Sequence, residues 1–97
     1  MTLSELIEIL ERCELSKTVE GFGNPHSYRG YYDELAFEPM TTTIQDMLEA
    51  ALSADGETYR GYKGGHFEMS GHTPVNIAYE GSVGSPLTKA MLAEMVW

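Results

Sequence analysis

Tyr28-Arg29-Gly30-Tyr31 and Tyr59-Arg60-Gly61-Tyr62 are near copies, 31 residues apart, and hold two of the three arginines of the chain. With Tyr32 they also hold five of its six tyrosines. Arginine supplies a planar fork that fits phosphate. Tyrosine offers a face for stacking a base, and glycine lets a ligand approach the main chain. Together these groups suit a phosphorylated small molecule that carries a base. The plainer reading is a pair of equivalent strands, with tyrosines in the core and arginines paired to surface carboxylates.

Four further constellations hold polar groups at suggestive spacing. In Gly23-Asn24-Pro25-His26-Ser27-Tyr28-Arg29 a glycine-containing loop enters a strand, and loop N–H groups can cradle an anion. Gly23, His26 and Arg29 are candidates to meet one phosphate, with Tyr28 beside them; an ordinary connection with a capping histidine is the alternative. Arg60 has Tyr59, Tyr62, Lys63 and the Gly64-Gly65 turn around it. A hairpin tip kept soluble by Lys63 explains the same residues, and an exposed pair with Glu57 or Glu68 would contribute under about 1 kcal/mol. His66-Phe67-Glu68 with His72 offers two imidazoles and a carboxylate. His-x-Glu is also half of a zinc deaminase motif, but its Pro-Cys-x-x-Cys partner is missing. Asn76, between Val75 and Ile77, is poorly suited to a strand interior. If buried, its amide needs partners, and the edge of an adenine or guanine would supply them; a surface position on an edge strand is simpler.

Composition narrows the classes. Ninety-seven residues make one domain with a thin core. A net charge of -9 argues against binding to a nucleic-acid backbone. It leaves open a small anion in a local pocket, a DNA mimic or an acidic protein inhibitor. The single cysteine, Cys13, has no internal partner and falls on an apolar helical stripe, where it reads as a small buried hydrophobe. No leader-like or membrane-length apolar run occurs, so a cytosolic protein is expected. No phosphate-loop, dinucleotide or nucleophile-elbow signature is present, and no catalytic set is evident.

The elements expected to position these groups follow from periodicity. Thr2 and Glu5 make a capping box before a stripe of Leu3, Leu6, Ile7, Leu10 and Cys13. Residues 16–20 form a short strand, and Gly21, Gly23 and Asn24-Pro25 break it. Residues 27–38 alternate as a strand that ends at Pro39. A second helix starts near Thr42 or Thr43, with Thr42 and Gln45 as a second box, and Asp55-Gly56 stops it. Residues 57–63 and 66–70 form a hairpin, and a third strand covers 73–80. Antiparallel pairing across the 70–73 turn then brings Phe67 and Asn76 onto facing positions. Ser85 and Pro86 open a last helix bearing Leu87, Met91 and Met95. The whole predicts an α+β fold: a small antiparallel sheet with an N-terminal, a middle and a short C-terminal helix.

Over most of residues 1–80 the chain resembles a small phage family, the first described class of Thoeris anti-defence sponges. The resemblance lies in Gly23–Tyr32, Thr58-Tyr59-Arg60-Gly61-Tyr62, Phe67 and Thr73-Pro74-Val75-Asn76-Ile77. It implies a protein of the host cytoplasm that sequesters nucleotide immune signals without cleaving them. The ligands would be cyclic ADP-ribose isomers or cyclic oligonucleotides, held in pockets between protomers of a homo-oligomer, with no metal or cofactor. Carried over by motif, Phe67 stacks the base and Asn76 reads its edge. Gly23, His26, Arg29 and Arg60 contact phosphates, in the same or a second pocket. The family pattern has a further arginine toward the C-terminus. Here Lys89 is the only basic residue after Lys63, and lysine is a point charge rather than a fork. Two other classes compete: a small phosphodiesterase-like enzyme using His26 or His66, and an acidic inhibitor of a host defence protein.

Overall fold

The computed structural model describes residues 1–28, 31–60, 66–78 and 85–97, with the backbone alone at 27–28, 31–33, 60 and 67. Arg29, Lys63, the Gly64-Gly65 turn and the Gly81–Gly84 stretch lie outside the described residues. The fold is α+β: three helices and a mixed sheet of four strands, with a separate two-stranded ribbon. The sheet is therefore not wholly antiparallel.

Helix α1 (Leu3–Glu11) starts where local chemistry sets it. The Thr2 N–H donates to Glu5 Oε1 at 3.1 Å, and the Glu5 N–H donates to Thr2 Oγ1 at 3.3 Å. These bonds satisfy donors that a helix start leaves orphaned, and they hold the Glu5 carboxyl below its ordinary pKa. Leu3, Leu6 and Leu10 are fully buried. Cys13 lies beyond the helix end and is half-buried rather than buried; its thiol donates to the Ile9 carbonyl at 3.2 Å. Partial burial pushes that thiol pKa up.

Strands β1 (Thr18–Tyr28) and β2 (Tyr31–Thr43) form one long antiparallel hairpin, from Thr18↔Thr43 to Tyr28↔Tyr31. The expected loop at Gly21–Pro25 is thus part of a strand. Packing explains the glycines: a Cβ on Gly21 would stand 2.5 Å from Met47 Sδ, and one on Gly23 2.9 Å from Met40 Sδ. Asn24 and Pro25 are absorbed by a register shift between Gly23 and His26. Asn24 takes φ 51°, the left-handed region that asparagine tolerates. Nor does Pro39 end β2. The parallel pairing of β2 with β5 (Val75–Ile77) stops at Phe37↔Ile77, so Pro39 lies where only β1 pairs with β2. A missing N–H is tolerated there.

Helix α2 (Ile44–Ala54) is capped by Thr43, whose Oγ1 accepts the Asp46 N–H at 3.1 Å. The expected box of Thr42 and Gln45 does not form; the Thr42 hydroxyl instead donates to the Thr43 carbonyl at 3.5 Å. Thr43→Ala should therefore cost about 1 kcal/mol and Thr42→Ala a few tenths at most, as read from urea midpoints. The reverse order would contradict this cap.

The ribbon comprises β3 (Thr58–Arg60) and β4 (His66–Glu68), in register from Thr58↔Glu68 to Arg60↔His66. Strand β3 approaches β1, and β4 approaches β2. Residues Ser85 and Pro86, expected to open a helix, instead form β6 against Asn76 and Ile77. Helix α3 (Lys89–Val96) begins three residues later than Pro86 and is capped by Thr88. Its core residues are Leu92 and Val96, joined by Leu87; Met91 and Met95 pack at the margin. The sheet order is β1-β2-β5-β6. Phe22 and Phe37, both fully buried, meet at 4.8 Å between centroids in the core.

A polar row across the sheet as candidate functional site

Register brings together two candidates that the sequence keeps 50 residues apart. His26 on β1 pairs with Ala36 on β2, and Ala36 pairs with Asn76 on β5. Register partners share a face, so the three side chains form one row. Alternation along β2 puts Glu34 and Glu38 on that same face, two residues either side of Ala36. Leu35 and Phe37 take the opposite face and are fully buried, as their partners Val75 and Ile77 nearly are.

Asn76 is only 3% exposed. It lies on an inner strand, between β2 and β6, and not on an edge. Its Nδ2 donates to Glu34 Oε1 at 3.3 Å and to the Leu35 carbonyl at 3.5 Å. Two acceptors thus lie within reach of the amide nitrogen, which gives this buried amide a partner for its donor side.

Glu38 serves the other end of the row. One oxygen accepts from Asn24 Nδ2 at 2.6 Å, and the other lies 3.8 Å from His26 Nε2. The carboxylate thereby ties the bulge to β2. It also sets a negative charge beside His26, which opposes a phosphate there. Gly23, the register partner of Glu38, is buried against Met40. Its missing side chain makes room for that thioether.

Tyr28 and Tyr31 end the first hairpin, and Arg60 ends β3 opposite His66. The side chains of Tyr28, Arg60 and Phe67 lie outside the description, as does all of Arg29. Phe67 pairs with Tyr59 in the ribbon, whereas Asn76 belongs to the four-stranded sheet. The expected facing of Phe67 and Asn76 across the 70–73 turn therefore does not occur. Instead, that turn ties to α1, through Leu3 N–H to Thr73 O at 2.9 Å and Ser4 N–H to Gly71 O at 3.0 Å.

His66, Glu68 and His72 are all exposed. Among the described residues no group of three or more histidines, cysteines or carboxylates converges as a metal site. Lys89 stands 3.7 Å from Glu5 at the surface. No helix among the described residues is long and apolar enough to cross a membrane.

Glu34 and Glu38 were not singled out by the sequence reading. Their signal is the pattern Glu34-Leu35-Ala36-Phe37-Glu38, in which carboxylates alternate with core residues at the period of a strand.

Fold and row define a small α+β protein whose sheet carries a polar row flanked by carboxylates. No family model, no curated protein and no solved structure matches the chain.

Proposed function

We propose that the chain binds a cyclic nucleotide signal and sequesters it uncleaved, as a phage protein that blocks antiphage signalling in the host cytoplasm. The candidate ligands are cyclic ADP-ribose isomers and cyclic oligonucleotides. The observation that carries this reading is the matched placement of the Tyr-Arg-Gly-Tyr motifs. Among the described residues, Tyr28 and Tyr31 are the last pair of the long hairpin, Arg60 belongs to the last pair of the ribbon, and the ribbon approaches the hairpin. Strand ends are where connecting backbone carries binding groups on a rigid scaffold.

The row divides the labour. With Glu34 and Glu38 on it, phosphate is held by Arg29 and Arg60, while Asn76 and Phe67 serve the base. His26 and Gly23 flank the register shift of β1. A homo-oligomer completes the pocket from neighbouring protomers. The half-exposed Leu52 and the largely exposed Trp97 supply apolar surface for such contacts.

Calorimetric titration with cyclic ADP-ribose and with cyclic dinucleotides tests this. Saturable binding in the presence of EDTA is expected. Absence of binding to every member of the panel, or binding only after zinc or manganese is added, would contradict it.

A further inference from the structure

Asp55 and Gly56 are the one place in the chain where an aspartate or asparagine precedes a glycine. Such a pair can close on itself. The Gly56 main-chain nitrogen attacks the Asp55 carboxyl carbon and gives up its proton, and water leaves as a five-membered imide forms. Water then adds back to either imide carbonyl. One choice restores aspartate. The other leaves isoaspartate, in which the main chain runs through the former side chain. Glycine favours the attack because no Cβ hinders its nitrogen. Asn24 has no such route, since Pro25 lacks an N–H, and the branched Ile77 crowds the nitrogen that follows Asn76.

The structure presents the carboxyl and withholds the nitrogen. Asp55 follows α2 at the surface, and among the described residues no hydrogen bond or ion pair engages its side chain. The Gly56 N–H, by contrast, donates to the Met69 carbonyl at 2.8 Å, a short bond. Met69 is fully buried, and its own N–H donates to the Glu57 carbonyl at 2.8 Å, so the acceptor is anchored in the core. The Glu57 N–H closes the turn on the carbonyl of the fully buried Ala54 at 3.1 Å. Torsion adds to the restraint. Asp55 has ψ 120°, which turns the Gly56 nitrogen away from the Asp55 Cβ, whereas the imide ring needs the two on one side. Attack therefore requires that the bond to Met69 break and that the Asp55 Cα–C bond rotate. Opening the base of the β3–β4 ribbon permits both.

We propose that Asp55 and Gly56 form a latent isomerisation site, held as aspartate by the bond from Gly56 to Met69, and that opening of the ribbon base commits it. Isoaspartate adds one carbon to the main chain between α2 and β3. Gly56 and Glu57 then cannot both regain Met69 as a partner, so the base does not reclose in register. This device stands apart from the sequestering reading and needs no ligand.

The test compares the full chain in neutral buffer with the same chain in urea above its unfolding midpoint, both at physiological temperature. Isoaspartate at position 55 is read by peptide mapping with electron-transfer fragmentation. It should accumulate about tenfold or more faster in urea, because a closed site reacts only while it is open. Asp55→Asn gives a second readout: the same ring closes with loss of ammonia, so each event changes the intact mass. Asp55→Glu, whose longer side chain disfavours ring closure, should give no product in either condition. Hydrogen exchange separates the Met69 bond from general burial. The Gly56 amide should be protected in the folded chain, and mild urea should raise its exchange and the isomerisation rate in proportion. Equal rates in buffer and urea, or no product in urea, would overturn the inference. So would a Gly56 amide that exchanges freely in a folded chain that keeps its aspartate, or an isomerised chain in which the Gly56 and Met69 amides regain their protection.

Discussion

Arg29→Ala and Arg60→Ala are each expected to weaken cyclic-nucleotide binding by about 1.5–3 kcal/mol, roughly ten- to hundredfold. The size follows from what each arginine offers. Arg12, Arg29 and Arg60 are the only arginines, and a net charge of -9 gives a phosphate little other attraction. The polar row adds to the contrast, since Glu34 and Glu38 sit on it and Glu38 flanks His26 at 3.8 Å. A planar fork bonded to phosphate is charge-assisted and bidentate. Lysine keeps the charge and loses the fork, so Arg29→Lys and Arg60→Lys should restore only part of the affinity. The arginines are read as ligand contacts rather than as core residues, so the alanine variants are expected to melt near the parent temperature. Unchanged affinity in both alanine variants would remove the two-arginine basis of the proposed function.

Phe37→Ala should be the most damaging single change to the fold, at about 3–5 kcal/mol. Phe37 is fully buried, meets Phe22 in a tilted contact with ring centroids 4.8 Å apart, and sits on the strand shared by the β1 and β5 pairings. Truncation empties the centre of the core that the sheet presents to α2. A domain of this size has roughly 5–15 kcal/mol in total, so the variant loses a large share of it. Phe37→Leu should cost far less, because most of the volume remains. Glu8→Ala, at an exposed position of α1, should stay within about 0.5 kcal/mol and serves as the control. Urea unfolding of the three variants checks the order. A Phe37→Ala variant as stable as Glu8→Ala would contradict the core described.

The parts of this fold that local chemistry determines were legible in the sequence. The Thr2–Glu5 box and the Leu3, Leu6, Leu10 stripe define α1 within a few residues of chain. Gly56 at φ 81° follows α2 for the same local reason. What distant packing decides was not legible. Gly21, Gly23 and Asn24-Pro25 are breakers by local rule, yet Met47 and Met40 fill the space over the glycines, and a bulge absorbs the Asn-Pro pair. Ser85-Pro86 is a good helix opening, but pairing with Asn76 and Ile77 takes it into the sheet. The parallel alignment of β2 and β5 leaves no local trace, because it is made across a crossover that contains α2 and the ribbon.

The same distinction governs the site. Asn76 stood out because a lone amide among β-branched residues is unusual, and its burial gives that oddity a cause. Its partner Glu34 lies 42 residues away and is found only through register. The link from His26 to Asn76 through Ala36 is likewise a product of two strand pairings. Phe67 and Asn76 are close in sequence but separated into different sheets, because the chain leaves β4 to tie onto α1 before entering β5.

Recovery of the bound ligand tests the central claim most directly. The chain is incubated with a cyclic nucleotide that it binds, freed of excess ligand, then heat-denatured, and the released small molecule is identified by chromatography and mass. The account predicts the intact cyclic nucleotide, in an amount matching the bound fraction and unchanged by longer incubation. A linearised or hydrolysed product that accumulates with time would contradict it and make the protein an enzyme.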